Sequence, residues 1–381
     1  MAEKKKARSV LLWQEGKMDI TFLSLVLILL SIGLVMLFSA SYAYSYTYFG
    51  NSYRFITRQA IFAVIGVAIM LVVSKINYQI LKKLSWLIYI ITVAMLIVVL
   101  IIPPMAEELD VHRWIYVGSF SFQPSEIGKF AIVIIFAAWL SSNGEKIKKF
   151  GYLCWMVGLL AVVCGLVVLE PHLSATIVIF ALGIVLLVVG GMKLYWLVVG
   201  AGAGVGLVAL LMQIGVIGYG LDRLKYWIDP WSDPANKGYQ TIQSLLAIGS
   251  GGLLGRGIGQ SRQKYLWVPE PHNDFIFSIV CEELGLIGAM VIILLFCALI
   301  WRGFTIAMKA QDKFGTFTAI GLTFQVGLQA ILNILVVTNT IPNTGISLPF
   351  FSYGGTALVI LLAEMGIVLS ISRGSSVEKL N

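Results

Sequence analysis

The sequence predicts an all-α integral membrane protein that crosses the bilayer about ten times. Of its 381 residues, 59% are hydrophobic and only 12% are charged, whereas soluble domains carry about 25% charged residues. The apolar residues are gathered into runs of about 20 residues, the length that spans a bilayer as a helix. A chain with so few charges cannot cover its own surface with polar groups, so most of that surface must face membrane lipids.

The predicted spans follow one another along the chain, with one long polar segment among them. They cover residues 20–40, 56–74, 84–102, 126–141, 152–169, 173–190, 193–214, 275–301, 315–337 and 355–372. Residues 215–274 are predicted to form a long outer loop before the eighth helix. The chain is thereby divided into a cytoplasmic tail (1–18), a ten-helix membrane domain (19–373) and a second cytoplasmic tail (374–381).

The placement of the basic residues predicts the orientation of the chain. With a cytoplasmic N-terminus, ten spans put most of the 27 lysines and arginines in cytoplasmic loops and place both termini inside. The net charge of +8 arises from short basic clusters between apolar runs. That pattern is typical of loops beside an anionic leaflet and does not indicate nucleic acid binding.

The outer segment from Trp227 to Phe277 has the most unusual composition. Six glycines between Gly249 and Gly259 would let backbone N–H groups approach an anion. Basic residues of the long outer loop (215–274) could neutralise a diphosphate, namely Arg223, Arg256, Arg262 and Lys264. The glycine order is not that of a nucleotide-binding P-loop. The alternative interpretation is a flexible or re-entrant loop at the membrane surface.

Asp274 stands where this outer segment enters the eighth apolar run. By itself it could be a helix N-cap, a position at which aspartate is common. Glu282 and Glu283 lie two turns further into the same run, and carboxylates at such a depth generally face a polar cavity. The sequence therefore predicts that the eighth helix lines a hydrophilic cleft open to the outside.

Other ionisable groups are predicted to converge on the outer half of the bundle. Glu126 and Lys129 are spaced i,i+3 and can pair on one face of the fourth span, as a structural or a functional ion pair. Glu170 lies at the outer tip of the fifth span and Glu364 lies within the tenth. The three histidines and four cysteines show no metal-ligand spacing.

Four ordered motifs resemble the SEDS family (shape, elongation, division and sporulation), which contains FtsW, RodA and SpoVE. They are Arg113-Trp114-Ile115 with Gln123-Pro124-Ser125-Glu126 and Lys129, Gly238-Tyr239-Gln240 through Gly251-Gly252, Pro269 to Phe277 followed by Glu282-Glu283-Leu284-Gly285, and Thr344 to Gly355. The resemblance extends from about Asp19 to Arg373. Residues 261–277 and the first span look more like the FtsW and SpoVE branch than the RodA branch.

The resemblance implies a peptidoglycan glycosyltransferase that polymerises lipid II into β-1,4 glycan strands at the outer face of the bacterial cytoplasmic membrane. It implies a septal or sporulation role beside a class B penicillin-binding protein and other division proteins. The essential aspartate of the family falls on Asp274, and its functional ion pair falls on Glu126 and Lys129. A Gln-Pro-Asp pattern of the family is replaced here by Glu170-Pro171-His172.

The site residues expected on this basis fall into three groups, and a divalent cation, Mg²⁺ or Mn²⁺, is left open. Asp274 is the expected catalytic residue. The expected substrate-binding residues are Arg223, Arg256, Arg262, Lys264, Glu270 and Ser352. The expected supporting polar residues are Arg113, Glu170 and Glu282.

The implied reaction needs few catalytic groups. An α-linked diphosphate donor and a β-linked product differ by one inversion, which requires a base for the acceptor hydroxyl and positive charge for the leaving diphosphate. Asp274 is predicted to be the base. The alternative functions are a lipid II flippase and a scaffold that recruits a penicillin-binding protein. A flippase needs charges at every depth, whereas here they concentrate in the outer half.

Overall fold

The computed structural model describes residues 16–102, 113–117, 120–200, 202 and 225–377. This part is almost entirely helical. Its α-helices are α1 (Ile20–Phe49), α2 (Arg54–Val73), α3 (Gln79–Ile101), α4 (Pro124–Asn143), α5 (Phe150–Leu169), α6 (Leu173–Val189), α7 (Tyr239–Gly251), α8 (Ile276–Met308), α9 (Lys313–Val337) and α10 (Gly355–Val377). A short antiparallel hairpin pairs β1 (Ile115–Val117) with β2 (Phe120–Phe122). Two 3-10 helices cover Gly144–Lys148 and Pro230–Ser232.

The prediction of an all-α polytopic membrane protein is confirmed. Eight of the described helices are long and apolar enough to cross a membrane, and α6 is a shorter apolar helix. The predicted seventh span, residues 193–214, lies largely outside the described residues. The exact number of spans and the side on which each loop lies therefore stay predictions.

The bundle has two ends, which we call the cavity end and the far end. At the far end Arg302 of α8 forms an ion pair with Asp19 at the start of α1, with Nη2 and Oδ2 2.7 Å apart. The Asp19 backbone N–H donates to Ser372 near the end of α10 over 3.0 Å. Tyr78 donates to Asp312 over 2.6 Å and so joins the start of α3 to the start of α9. Side-chain contacts between distant segments thus join the described helices at the far end.

Helix α2 packs on helices that are distant in sequence. It lies along α10 and α1, whereas it makes little contact with α3, the next helix of the chain. Gly66 permits the close approach to α10, since a Cβ atom there would lie 2.6 Å from Leu362. Small residues allow such close packing of helices in membranes, where the hydrophobic effect does not drive association. The side of the bundle between α2 and α3 is consequently left without a tight helix contact.

Helix α8 is broken at Gly285, where a re-entrant loop (residues 252–260) packs against it. Gly285 has φ 68° and ψ −171°, a conformation that glycine adopts readily. The Leu286 N–H donates to the Gly252 carbonyl over 2.9 Å, and the Gly257 N–H donates to the Glu283 carbonyl over 3.0 Å. These bonds satisfy backbone groups that the break sets free, which is necessary in a membrane. The glycine run is therefore a re-entrant packing element.

Candidate active site

Two cavities meet at the cavity end of the bundle. The larger cavity, of about 790 Å³, is bounded by α2, α4, α6, α9, α10 and the segment before α8. The smaller cavity, of about 420 Å³, adjoins it on the side of α7. Four residues line both, and they are Arg113, Ser174, Asp274 and Gly345. Asp274 therefore faces the junction at which groups held in the two cavities would meet.

Asp274 precedes α8 but does not cap it. The N-cap position is Phe275, and no side chain makes a capping hydrogen bond there, so the interpretation of Asp274 as an N-cap is wrong. Burial, and to a smaller extent the nearby Glu270 carboxylate, raise the pKa of Asp274 to about 6 against the lowering effect of Arg113. A carboxylate with a pKa close to neutrality is a better proton acceptor than an ordinary aspartate.

Gly345 makes the approach to the Asp274 carboxylate possible. A Cβ atom at position 345 would lie 3.1 Å from Asp274 Oδ2, and the residue has φ +71°. A side chain there would thus be strained and would crowd the carboxylate. The chain next to it is fixed by Ser174, which donates to the Thr344 carbonyl.

The predicted Glu126 and Lys129 ion pair is formed at the start of α4. Lys129 Nζ lies 2.7 Å from Glu126 Oε2, and both residues line the larger cavity. Glu126 sits in the first turn of the helix, where a negative charge is favoured by the helix dipole. Lys129 is almost completely buried, so the pair supplies a fixed, internally balanced wall to the cavity.

Arg113 is held by the turn between α5 and α6. Its guanidinium donates to the carbonyls of Glu170, over 3.4 Å, and Pro171. The Glu170 carboxylate is fully buried, and neither of its oxygens has a hydrogen-bond partner. Burial raises the pKa of Glu170 to about 8 against the lowering effect of Arg113. Burial, Arg113 and Lys129 lower the pKa of His172 to about 3, so this imidazole is neutral at pH 7.

Two further predicted site residues lie in the segment that carries Asp274. Glu270 lines the larger cavity and accepts a hydrogen bond from the Asn273 side chain over 2.8 Å. Ser352 was expected to bind substrate, but its hydroxyl donates to the Asn273 carbonyl and accepts from the Leu348 N–H, both over 2.8 Å. The structure thus gives Ser352 a role in joining the loop before α10 to the segment of Asp274.

The prediction that Glu282 and Glu283 line the outward cleft is wrong. Neither residue lines the two cavities. Glu283 Oε1 lies 3.0 Å from Lys264 Nζ and accepts a further hydrogen bond from Ser39 over 2.7 Å. Glu282 accepts the Arg262 backbone N–H over 2.9 Å. These carboxylates are satisfied by Ser39 of α1 and by the segment that follows the re-entrant loop, so no water-filled cleft is needed to solvate them.

The same cluster removes most of the predicted diphosphate ligands from the site. Lys264 is buried in its ion pair with Glu283, and Arg256 Nε lies 3.7 Å from Glu282. Arg262 is exposed and lines neither cavity. Arg223 lies outside the described residues. The described part of the chain therefore does not place these cations beside Asp274.

Sequence reasoning missed Arg58, which lines the larger cavity from α2. The available signal was its place at the outer end of a predicted span, where the positive-inside rule disfavours arginine. It also missed the smaller cavity, because its lining comes from separate segments. That lining includes Tyr226, Trp227, Lys237, Thr241, Asn339 and Asn343. Among the described residues, no group of three or more His, Cys, Asp or Glu is placed to hold a metal ion.

Fold and site together define a polytopic helical membrane protein with a large cavity at one end and the Asp274 carboxylate in its wall. The model of the FtsW, RodA and SpoVE family of cell cycle proteins matches residues 20–377. The chain belongs to this family.

Named relatives and solved structures agree with this assignment. The chain is 39% identical over 332 residues to stage V sporulation protein E of Bacillus subtilis, covering 86% of this chain and 89% of the relative. It is 36% identical to the probable peptidoglycan glycosyltransferase FtsW of Geobacter sp. strain M18, covering 85% and 88%. A chain of a peptidoglycan synthase complex aligns with TM-score 0.79 and 27% identity, covering 94% and 98%. Thermus thermophilus RodA aligns with TM-score 0.69 and 25% identity, covering 93% and 97%.

Proposed function

We propose that this chain is a peptidoglycan glycosyltransferase that polymerises lipid II at the outer face of the bacterial cytoplasmic membrane, with Asp274 as the general base. The observation that carries the proposal is the position of Asp274 at the junction of the two cavities. A glycosyl transfer joins two sugars and needs its base where they meet. The FtsW relatives and the synthase complex support this activity.

The proposed step is a single inverting displacement. The acceptor 4-hydroxyl oxygen forms a bond to the anomeric carbon of the donor, and its proton passes to the Asp274 carboxylate. The bond from that carbon to the diphosphate oxygen breaks, and its electron pair leaves with the diphosphate. A base with a pKa of about 6 is largely ionised at pH 7 and can still hold the proton transiently.

Arginines of the cavity wall are the proposed partners of the leaving diphosphate. Arg58 and Arg113 line the larger cavity together with Lys129. Lys129 is engaged by Glu126 at 2.7 Å, so the two arginines are the proposed cationic ligands of the diphosphate in a wall that also carries the Glu270 and Asp274 carboxylates. Guanidinium groups bind diphosphate oxygens with charge-assisted hydrogen bonds, which stabilise the leaving group as its charge develops.

An apolar side of the larger cavity suits a lipid-linked substrate. Ile61 and Ile65 of α2 line the cavity, although they are 55% and 45% exposed. Helix α2, which carries them, has little contact with α3. A polyprenyl tail could stay in the bilayer at this opening while its diphosphate and sugars enter the cavity, since transfer of the tail to water would be costly.

The contacts that join the described helices at the far end argue against the alternative of a flippase. A transporter requires a polar route through the whole bundle, whereas the Asp19–Arg302 and Tyr78–Asp312 contacts join helices at the far end. Glu364, in mid-bundle, is buried and accepts a hydrogen bond from Gln325 over 2.9 Å. We therefore prefer an enzyme that works from the cavity end, with that end and the active site facing outward and both termini cytoplasmic.

The proposed partners are lipid II and a class B penicillin-binding protein that cross-links the new strands. The synthase complex, described as coordinating polymerization and crosslinking, supports such a partnership. The SpoVE and FtsW relatives support a role in sporulation or at the division septum, beside other division proteins.

The test is polymerisation of purified lipid II by the protein in vesicles, with and without its penicillin-binding partner. We expect Asp274→Asn to lower the rate by about 10²- to 10⁴-fold, the usual contribution of a general base. Asp229→Asn is the matched control, because Asp229 is an aspartate of the outer loop before α7 and lines neither cavity. Glycan strands made by Asp274→Asn at the wild-type rate would exclude Asp274 as the base.

A further inference from the structure

Asn333 of α9 holds the backbone of Asp274. The segment before α8 consists of turns, so no helix geometry fixes the direction of the Asp274 side chain. The Asn333 Nδ2 group donates to the Asp274 carbonyl over 2.7 Å and to the Ile346 carbonyl over 2.6 Å. One side chain thus joins the segment of Asp274 to the loop before α10.

The surroundings of Asn333 make this bridge hard to replace. Asn333 is fully buried, as are the neighbouring residues Phe275 and Ile346. The bond to the Ile346 carbonyl is buried and the bond to the Asp274 carbonyl is partly buried, and a buried carbonyl without a donor is costly. A primary amide is the neutral side-chain group that offers two N–H donors on one nitrogen. Leucine has a similar volume and no donor, so it would leave both carbonyls unsatisfied.

The bridge also sets the environment of the carboxylate. Ile346 follows Gly345, the residue that lies against Asp274 Oδ2. By tying the two backbones together, Asn333 fixes how closely Gly345 covers the carboxylate and how much of it faces the cavities. That cover contributes to the burial that raises the pKa of Asp274.

We propose that Asn333 is a positioning residue for the catalytic base, acting through the carbonyls of Asp274 and Ile346. The proposal rests on the proposed function, because it assumes that Asp274 accepts the proton of the acceptor hydroxyl. Loss of the bridge lets the carboxylate turn away from the junction and become more exposed to water. The arginines proposed to bind the diphosphate, Arg58 and Arg113, lie on other segments of the cavity wall and stay in place.

The test compares Asn333→Leu, which removes both donors, with Asn333→Ser, which keeps one. We expect Asn333→Leu to lower kcat about 100-fold, the effect of misplacing a catalytic group by about 1 Å, and Asn333→Ser to lower it less. KM for lipid II should stay close to the wild-type value. The acidic limb of the kcat–pH profile should move from near pH 6 toward the ordinary range of an aspartate.

The pH profile separates positioning from mere stability. Rates are expressed per amount of folded protein, which is measured as monodisperse material with unchanged helix content. Thr318→Val, on the same helix, is the control, and we expect it to show the wild-type kcat and pH profile. The proposal would be overturned if both Asn333 variants kept the wild-type kcat. It would also be overturned if both had a lower kcat but an acidic limb at the wild-type pH. Failure of the wild-type protein to polymerise lipid II would instead refute the proposed function.

Discussion

At the scale of single residues, burial determines which ionisable groups have a shifted pKa. Asp274 and Glu170 are both influenced by the charge of Arg113, yet their surroundings differ. Asp274 faces the cavities, whereas Glu170 is fully buried with two unpartnered oxygens. In the local sequence Asp274 follows an asparagine and Glu170 precedes a proline, which does not reveal this difference. Only the enclosing helices distinguish a reactive carboxylate from one that is kept neutral by desolvation.

The buried Glu170 carboxylate should make the stability of the protein depend on pH. Burial raises its pKa from 4.5 to about 8, so the folded state holds the proton more tightly than the unfolded state. The associated stability is complete below pH 4.5 and is lost as the pH rises through 8. We expect Glu170→Gln to increase the free energy of unfolding by a few kcal/mol at pH 8, since one pKa unit corresponds to about 1.4 kcal/mol. The melting temperature should therefore rise at pH 8 and change little at pH 4.5.

Thermal unfolding in detergent at the two pH values provides the measurement. Glu145→Gln is the control, because this glutamate lies exposed in the 3-10 helix after α4. A gain that is equal at both pH values would show that ionisation of Glu170 is not responsible.

At the scale of elements, the break in α8 and the re-entrant loop form one unit. Their backbones cross at Gly255 and Gly285 with no room between them. The ion pair of Lys264 with Glu283 lies next to this crossing. Its two residues are 19 positions apart and are separated by a break in the helical structure, so helical periodicity could not have predicted the pair. The unit explains why glutamates enter an apolar helix without lining the cavity.

Gly285→Ala should destabilise the protein strongly. A Cβ atom at this position would lie 2.2 Å from the Gly255 backbone nitrogen, and φ +68° is strained for alanine, at a cost of about 1–3 kcal/mol. Backbone atoms cannot move aside as a flexible side chain can. Gly165→Ala in α5, which meets open space, should instead stabilise by about 0.5–1 kcal/mol. Melting temperatures of the two variants decide the matter, and similar values would contradict the described crossing.

At the scale of the whole molecule, the bundle is open at one end and joined together at the other. The larger cavity reaches the side of α2 where Ile61 and Ile65 are exposed. The far end is held by Asp19–Arg302 and Tyr78–Asp312. A cavity at one end of the described bundle is suited to chemistry at one membrane face, because a substrate can enter and leave without crossing the bundle.

Vesicles that contain the protein should therefore not move lipid II between leaflets. With a fluorescent lipid II, an impermeant reductant should quench only the label of the outer leaflet, to the same extent as in protein-free vesicles. The same preparation should polymerise unlabelled lipid II, which shows that the protein is active. Additional quenching that depends on the protein would favour the flippase and contradict the inference that lipid II does not pass the far end of the bundle.

The sequence by itself determined what depends on composition and on neighbouring positions. The shortage of charge required a membrane bundle, the i,i+3 spacing of Glu126 and Lys129 produced their ion pair, and the family motif marked Asp274. Tertiary structure alone decided what depends on residues far apart. It paired Glu283 with Lys264, placed Gly345 and Asn333 against Asp274, and made Arg58 a cavity residue. Spacing along a helix fixes a shared face, whereas contacts between segments depend on how whole helices pack.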